Sequence, residues 1–149
     1  MVVISGPRVD LTEESLRGKE RDTLALTWEE RRWTRRRVTT TRGRNVALAL
    51  PTGSVLRPGD IVLVETEWYL VIEARPEPVL AVSPRDYAQA IRIAFDVGNR
   101  HFSIALDGDR LLVPDDSAMV QLLTRLGARW ERSEAAFEPD STGDRHTHG

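Results

Sequence analysis

Arg75-Pro76-Glu77-Pro78 constrains the fold most, because two prolines in three residues interrupt both kinds of regular structure at once. Each proline removes an amide donor and biases the residue before it toward extended geometry. A stiff linker is expected there, and the apolar pattern differs on its two sides. Upstream, residues 24–26, 46–50, 61–64 and 69–72 are short apolar segments, separated by Arg42-Gly43, Pro51-Thr52-Gly53 and Arg57-Pro58-Gly59-Asp60. Short apolar runs between turn signals predict a small all-β module over residues 1–75. Within it, Thr27-Trp28-Glu29-Glu30 sets a hydroxyl three residues before a carboxylate. This is a capping box, and it predicts one helical turn over residues 28–32.

Downstream the spacing alternates between two periods. A strand is expected over 79–82, then Ser83-Pro84 as helix cap and first helical residue, a helix over 85–97, and Gly98 as a left-handed stop. Phe102, Ile104 and Leu106 alternate with Ser103 and Ala105, Asp107-Gly108 supplies a turn, and residues 111–113 return, which reads as a hairpin. Asp115 or Asp116 caps a second helix carrying Met119, Leu122, Leu123 and Leu126 on one stripe, closed by Gly127 before a last strand over 129–133. The order β-α-β-β-α-β is the split plan of ferredoxin-like domains, so the expected class is α+β. That domain is placed at residues 76–137. From Phe137 the chain turns polar, and residues 138–149 are expected to form a flexible tail.

The chain has 149 residues, 40% hydrophobic and 30% charged, enough for one compact domain or two small ones. A net charge of −2 exerts no global pull toward nucleic acid or anionic membrane. No apolar run approaches the roughly 18 residues of a membrane span, and residues 1–10 lack a signal-peptide layout. The absence of Cys removes disulfides, thiolate nucleophiles, iron–sulfur clusters and zinc ribbons, and fits a cytoplasmic location. There is no Gly-x-Ser-x-Gly elbow, phosphate loop or Gly-x-Gly-x-x-Gly turn, and nothing marks Asp86 and Asp96 as a paired-carboxylate site. An enzyme is not expected.

The first helix carries more apolar surface than one sheet can cover. Tyr87, Ala88, Ile91, Ala94 and Phe95 form one stripe, and Ala90, Ile93 and Val97 widen the arc to roughly 220°. The surplus, assigned to Ala90, Ile93 and Val97, is expected to pack on the N-terminal module or on a second copy of the chain.

Only three histidines exist, His101, His146 and His148, so any imidazole chemistry rests on them. By alternation with Phe102, Ile104 and Leu106, His101 is expected on the accessible face with Ser103 and Ala105. One histidine cannot hold a metal, but a two-fold axis doubles it. Neutral imidazole suits Ni, Cu and Zn. His146 and His148, two apart in a tethered tail, offer two further ligands, and Asp144 an oxygen.

A basic run lies in the first module. Residues 28–44 hold seven Arg against Glu29 and Glu30, a net +5, whereas residues 131–149 hold two Arg against five acids, a net −3. Trp28 with Arg31, Arg32, Arg35 and Arg37 is the candidate partner-binding patch, and Arg36 and Trp33 accompany it. A solvated strand face or a dock for an acidic protein is favoured over RNA, although Arg pairs with phosphate and Trp stacks on bases.

Several blocks occur together in order: Leu26-Thr27-Trp28-Glu29-Glu30-Arg31-Arg32, Arg37-Val38-Thr39-Thr40, Val46-Ala47-Leu48-Ala49-Leu50-Pro51, Glu77-Pro78-Val79-Leu80, Gly98-Asn99-Arg100-His101, Leu126-Gly127-Ala128 and Phe137-Glu138-Pro139, then a His-bearing end. Over roughly residues 20 to 148 the chain resembles the urease accessory protein UreE family. The resemblance implies a homodimeric nickel metallochaperone that helps deliver Ni2+ to the urease active site with other accessory proteins, including the GTPase UreG. It implies that His101 binds metal with its twin at the dimer interface, assisted by His146 and His148. Zn2+ or Cu2+ is expected to enter the same site, and binding to weaken as pH falls through the range of an unperturbed imidazole, about 6.5. Some members carry many tail histidines and a further His pair in the hairpin. Here the tail has two, and residues 106–113 have none. The alternative reading is a metal-independent protein- or RNA-binding adaptor that uses residues 28–37.

Overall fold

The structure, a computed structural model, describes residues 1–9 and 13–139. The chain divides into two compact units, Met1–Arg75 and Pro76–Gly149. No helix among the described residues is long and apolar enough to cross a membrane.

The N-terminal unit is built from two three-stranded sheets. In one, β1 (Val2–Ile4) runs parallel to β4 (Asn45–Ala49), which pairs antiparallel with β3 (Arg35–Thr39). In the other, β2 (Glu20–Leu26) runs parallel to β6 (Trp68–Ala74), which pairs antiparallel with β5 (Ile61–Val64). Alternate residues of both sheets, including Leu24, Leu26, Val46, Leu48, Leu70 and Ile72, close one apolar core. The capping box forms as expected. The Thr27 amide donates to Glu30 Oε1 at 2.8 Å, and the Glu30 amide to Thr27 Oγ1 at 3.3 Å, opening a 3₁₀ turn at Glu30–Arg32.

Asp22, 1% exposed, joins the two sheets. Its Oδ2 accepts from the Thr40 hydroxyl at 2.5 Å and from Arg44 Nη1 at 2.9 Å; its Oδ1 accepts from the Thr23 and Arg42 amides at 2.8 and 3.1 Å. Asp22 lies on β2, and its partners at 40–44 form the turn between β3 and β4, so the carboxylate ties one sheet to the other. Burial pushes its pKa up, but the bonds from Thr40, Arg44 and the two amides outweigh that and hold it below the usual carboxylate value.

The C-terminal unit contains β7 (Glu77–Ser83), α1 (Tyr87–Asn99), β8 (Ala105–Asp107), β9 (Arg110–Pro114), α2 (Ser117–Arg125) and β10 (Arg129–Ala135). Its sheet has the order β10-β7-β9-β8 with every pair antiparallel, the ferredoxin-like arrangement. Leu80, Val82, Leu111 and Val113 meet Ile93 and Val97 of α1 and Met119, Leu122 and Leu123 of α2 in a second core.

Several local expectations change. The expected linker shrinks to Arg75-Pro76, because β7 begins at Glu77. Ser83 ends that strand and pairs with Arg129, so the cap of α1 is Asp86, whose Oδ1 accepts from the Gln89 amide at 2.8 Å. The cap of α2 is Asp116, one of the two expected. After the first helix, Phe102 and Ile104 pack on the core, but the alternation then breaks: Ala105 is buried and Leu106 is 58% exposed. Phe137, the last residue of the expected domain, is buried, in keeping with the tail beginning after it.

Candidate metal centre

His101 is positioned by the way α1 ends. The Phe102 amide donates to the Val97 carbonyl at 3.3 Å, and the His101 amide to the Gly98 carbonyl at 3.0 Å. These two bonds are a Schellman motif with Arg100 as C-cap, and the motif requires a left-handed residue immediately after the cap. That residue is His101, with φ of 63°, the one non-glycine residue with positive φ among those described. Gly98, the expected stop, lies inside the helix instead. Phe102 completes the motif by packing against the core that contains Val97.

The second helix shows what this position ordinarily takes. At the end of α2 the Ala128 amide donates to the Leu123 carbonyl and the Gly127 amide to that of Thr124, and the left-handed residue is Gly127, with φ of 67°. A β-carbon in that conformation costs about 1 kcal/mol, although His tolerates it better than most residues. The fold therefore carries a histidine where a glycine is less costly. The imidazole is exposed at the helix end.

The helix leading to His101 presents an unpartnered apolar stripe. Tyr87, Ile91 and Phe95 are 89%, 69% and 64% exposed, and Ala88 and Ala94 are exposed beside them. At 100° per residue Tyr87, Ile91, Ala94 and Gly98 fall in one row that ends one turn before His101. This reverses the expected assignment of the two halves of the arc: Ile93 and Val97 enter the core of their own unit, and the other half is the surplus. Gln89, also buried, lies on the inward side and breaks the apolar pattern there.

Among the described residues no group of three or more His, Cys, Asp or Glu can hold a metal ion. His101 thus supplies one imidazole per chain. A site in this unit would be completed by a second copy or by the tail, and His146, His148 and Asp144 lie outside the described residues.

The basic patch divides on inspection. Arg31 is 1% exposed, and its Nη1 donates to the Leu26 carbonyl at 2.7 Å, so it is a core arginine and leaves the outward-facing set. Arg32 lies 5.3 Å from the centre of the Trp28 ring, and Arg36 stacks on Trp33 at 3.8 Å. Arg35 and Arg37 are exposed on β3, an edge strand. Trp28, Glu29, Arg32 and Trp33 line an open cavity of about 490 Å³.

Comparison with known proteins covers both units. Residues 4–75 match the profile of the UreE urease accessory protein N-terminal domain, and residues 77–149 that of the UreE urease accessory protein C-terminal domain. The chain is 35% identical over 133 residues to the urease accessory protein UreE of Paraburkholderia xenovorans, an alignment covering 88% of this chain and 59% of that protein. It is 37% identical over 128 residues to the urease accessory protein UreE of Cupriavidus necator, covering 85% of this chain and 67% of that one. The first of these thus extends well beyond the aligned region. These names describe accessory proteins of an enzyme rather than enzymes. With both domain profiles matched in order and the ferredoxin-like unit beneath the second, the chain belongs to the UreE urease accessory protein family.

Proposed function

We propose that this chain is a nickel carrier for urease assembly. Two copies pair through the exposed stripe of α1, and the His101 imidazoles of the two copies hold one Ni2+ between them. His146 and His148 add exchangeable ligands from the tail. The ion is cargo, passed in the cytoplasm to the urease apoprotein complex together with the GTPase UreG. Zn2+ and Cu2+ compete for the same imidazoles. The observation that carries this reading is the histidine held in a left-handed cap where glycine is less costly, at the end of an unpartnered apolar stripe. Residues in sparsely populated backbone regions persist where something other than folding favours them.

The chemistry supports delivery. Few neutral imidazoles at an accessible interface hold Ni2+ without the closed cage of a structural site, so ligand exchange can release it. Trp28, Arg32, Arg35 and Arg37 serve in the same reading as the dock for an acidic partner, and the exposure of the three arginines also keeps the metal-independent adaptor as the competing reading.

The test is His101→Gly. The substitution relieves the left-handed strain, so thermal stability is expected to hold or rise by up to about 1 kcal/mol. Equilibrium dialysis is expected to show loss of the tight Ni2+. Unchanged binding in this variant would overturn the role of His101. Truncation after Pro139 gives a second measurement. The shortened dimer is expected to keep its ion at His101 but to retain it about tenfold less tightly, because tethered ligands recapture a departing ion. Equal affinity and stoichiometry would make His146 and His148 spectators.

A further inference from the structure

Gln89 has an oxygen that the fold explains and a nitrogen that it does not. Its Oε1 accepts from the Arg85 backbone amide at 2.9 Å, while the Gln89 backbone amide donates to the Asp86 cap, a reciprocal arrangement that fixes the first turn of α1. Because the oxygen faces a backbone donor, the orientation of the amide group is determined and Nε2 points away from Arg85 N. Nε2 is the one buried side-chain nitrogen or oxygen without a partner among the described residues, on a residue only 6% exposed. A buried donor left unpaired keeps its desolvation penalty uncompensated, so such a group calls for an acceptor.

The surroundings specify what kind. Gln89 and Arg85 line two cavities beside α1 in the C-terminal unit, one of about 250 Å³ that also takes in Arg129, and one of about 340 Å³ that also takes in Arg92 and Arg125. No acidic side chain lines either cavity. Arg92 pairs with Asp96 at 2.9 Å, and Arg85 lies 3.7 Å from Asp86, whereas Arg125 and Arg129 make no ion pair among the described residues. The side chains of Arg85 and Arg92 are 71% and 68% exposed. We propose that this groove between α1 and α2 binds an oxyanion, of phosphate or carboxylate type, whose oxygens accept from Gln89 Nε2 and the Arg125 guanidinium. The groove flanks the apolar stripe of α1 and involves neither His101 nor the tail, so it stands or falls independently of nickel binding.

The experiment is a titration of the isotope-labelled full chain, followed through the side-chain amide resonances of Gln89. One arm adds inorganic phosphate, one acetate, and one sodium chloride at matched ionic strength. A saturable shift with phosphate or acetate, absent with chloride, is expected, and the tighter of the two identifies the source. Arg125→Ala, at an exposed position that tolerates substitution, is expected to weaken that binding tenfold or more, as loss of a charge-assisted bond requires. Gln89→Glu keeps the acceptor for Arg85 N, removes the donor and repels the anion. In it, the shift of the Arg85 backbone amide seen on titrating the unmodified chain is expected to vanish while the thermal transition remains. A Gln89 shift that chloride reproduces, no saturable shift at all, or full affinity in Arg125→Ala would overturn the proposal.

Discussion

Replacing Ile91 and Phe95 together with glutamate is expected to leave a folded monomer that no longer binds Ni2+ tightly, although neither residue is a ligand. Both side chains stand mostly in solvent, so the substitutions remove nothing from the core of Leu80, Val82, Ile93 and Val97. The effect falls on pairing. In a two-fold interface every residue of the patch meets the same patch, so the four introduced carboxylates are brought together and two large apolar contacts are lost. A buried aromatic or aliphatic anchor contributes about 2 kcal/mol or more and four are lost from the pair, so even with these contributions far from additive the dimer dissociation constant is expected to rise at least about 1000-fold. Sedimentation velocity reads the change in mass. Nickel affinity is expected to fall with it, because a monomer offers a single folded-domain imidazole. A double variant that stays dimeric, or a monomer that binds nickel as tightly as before, would contradict the pairing.

Asp22→Ala is expected to cost the N-terminal unit about 3 kcal/mol, because it strands the Thr40 hydroxyl and the Arg42 amide and unties the two sheets. Tryptophan fluorescence through a urea titration checks it. The same carboxylate predicts an acid limb. Its folded pKa lies below the unfolded value, near 3.9, so its contribution is fully present above that value and is lost as pH falls through the folded pKa. Asp22→Asn is therefore expected to lower the neutral-pH plateau and to flatten the decline below about pH 4. A wild-type acid limb in the variant would assign acid unfolding to other carboxylates.

Local chemistry was legible where its partners lie close in sequence. Thr27 and Glu30 form their capping box three residues apart, and Gly127 ends α2 as glycines ordinarily do. Asp22 was invisible, because Thr40 and Arg44 stand 18 and 22 residues away and only the pairing of the sheets brings them to it. Strand β3 read as a charge run: Arg35, Arg36 and Arg37 sit on an edge that buries little, so no apolar alternation marks it. The width of the apolar arc on α1 was legible, but not which half faces inward, since both halves are apolar and the polar Gln89 lies on the inward one. The left-handed His101 was hidden by Gly98, a better match to the rule for stops; the deciding feature was Phe102, which anchors the end of the motif one turn later.

Native mass spectrometry of the nickel-loaded chain, compared with His101→Gly, tests the central claim most directly, because it reads metal content and chain number in the same ion. The account predicts one tightly held Ni2+ on the two-chain species, none on the single chain, and two-chain species without nickel for His101→Gly. Nickel held equally by single chains, or retained by His101→Gly dimers, would contradict a shared His101 site.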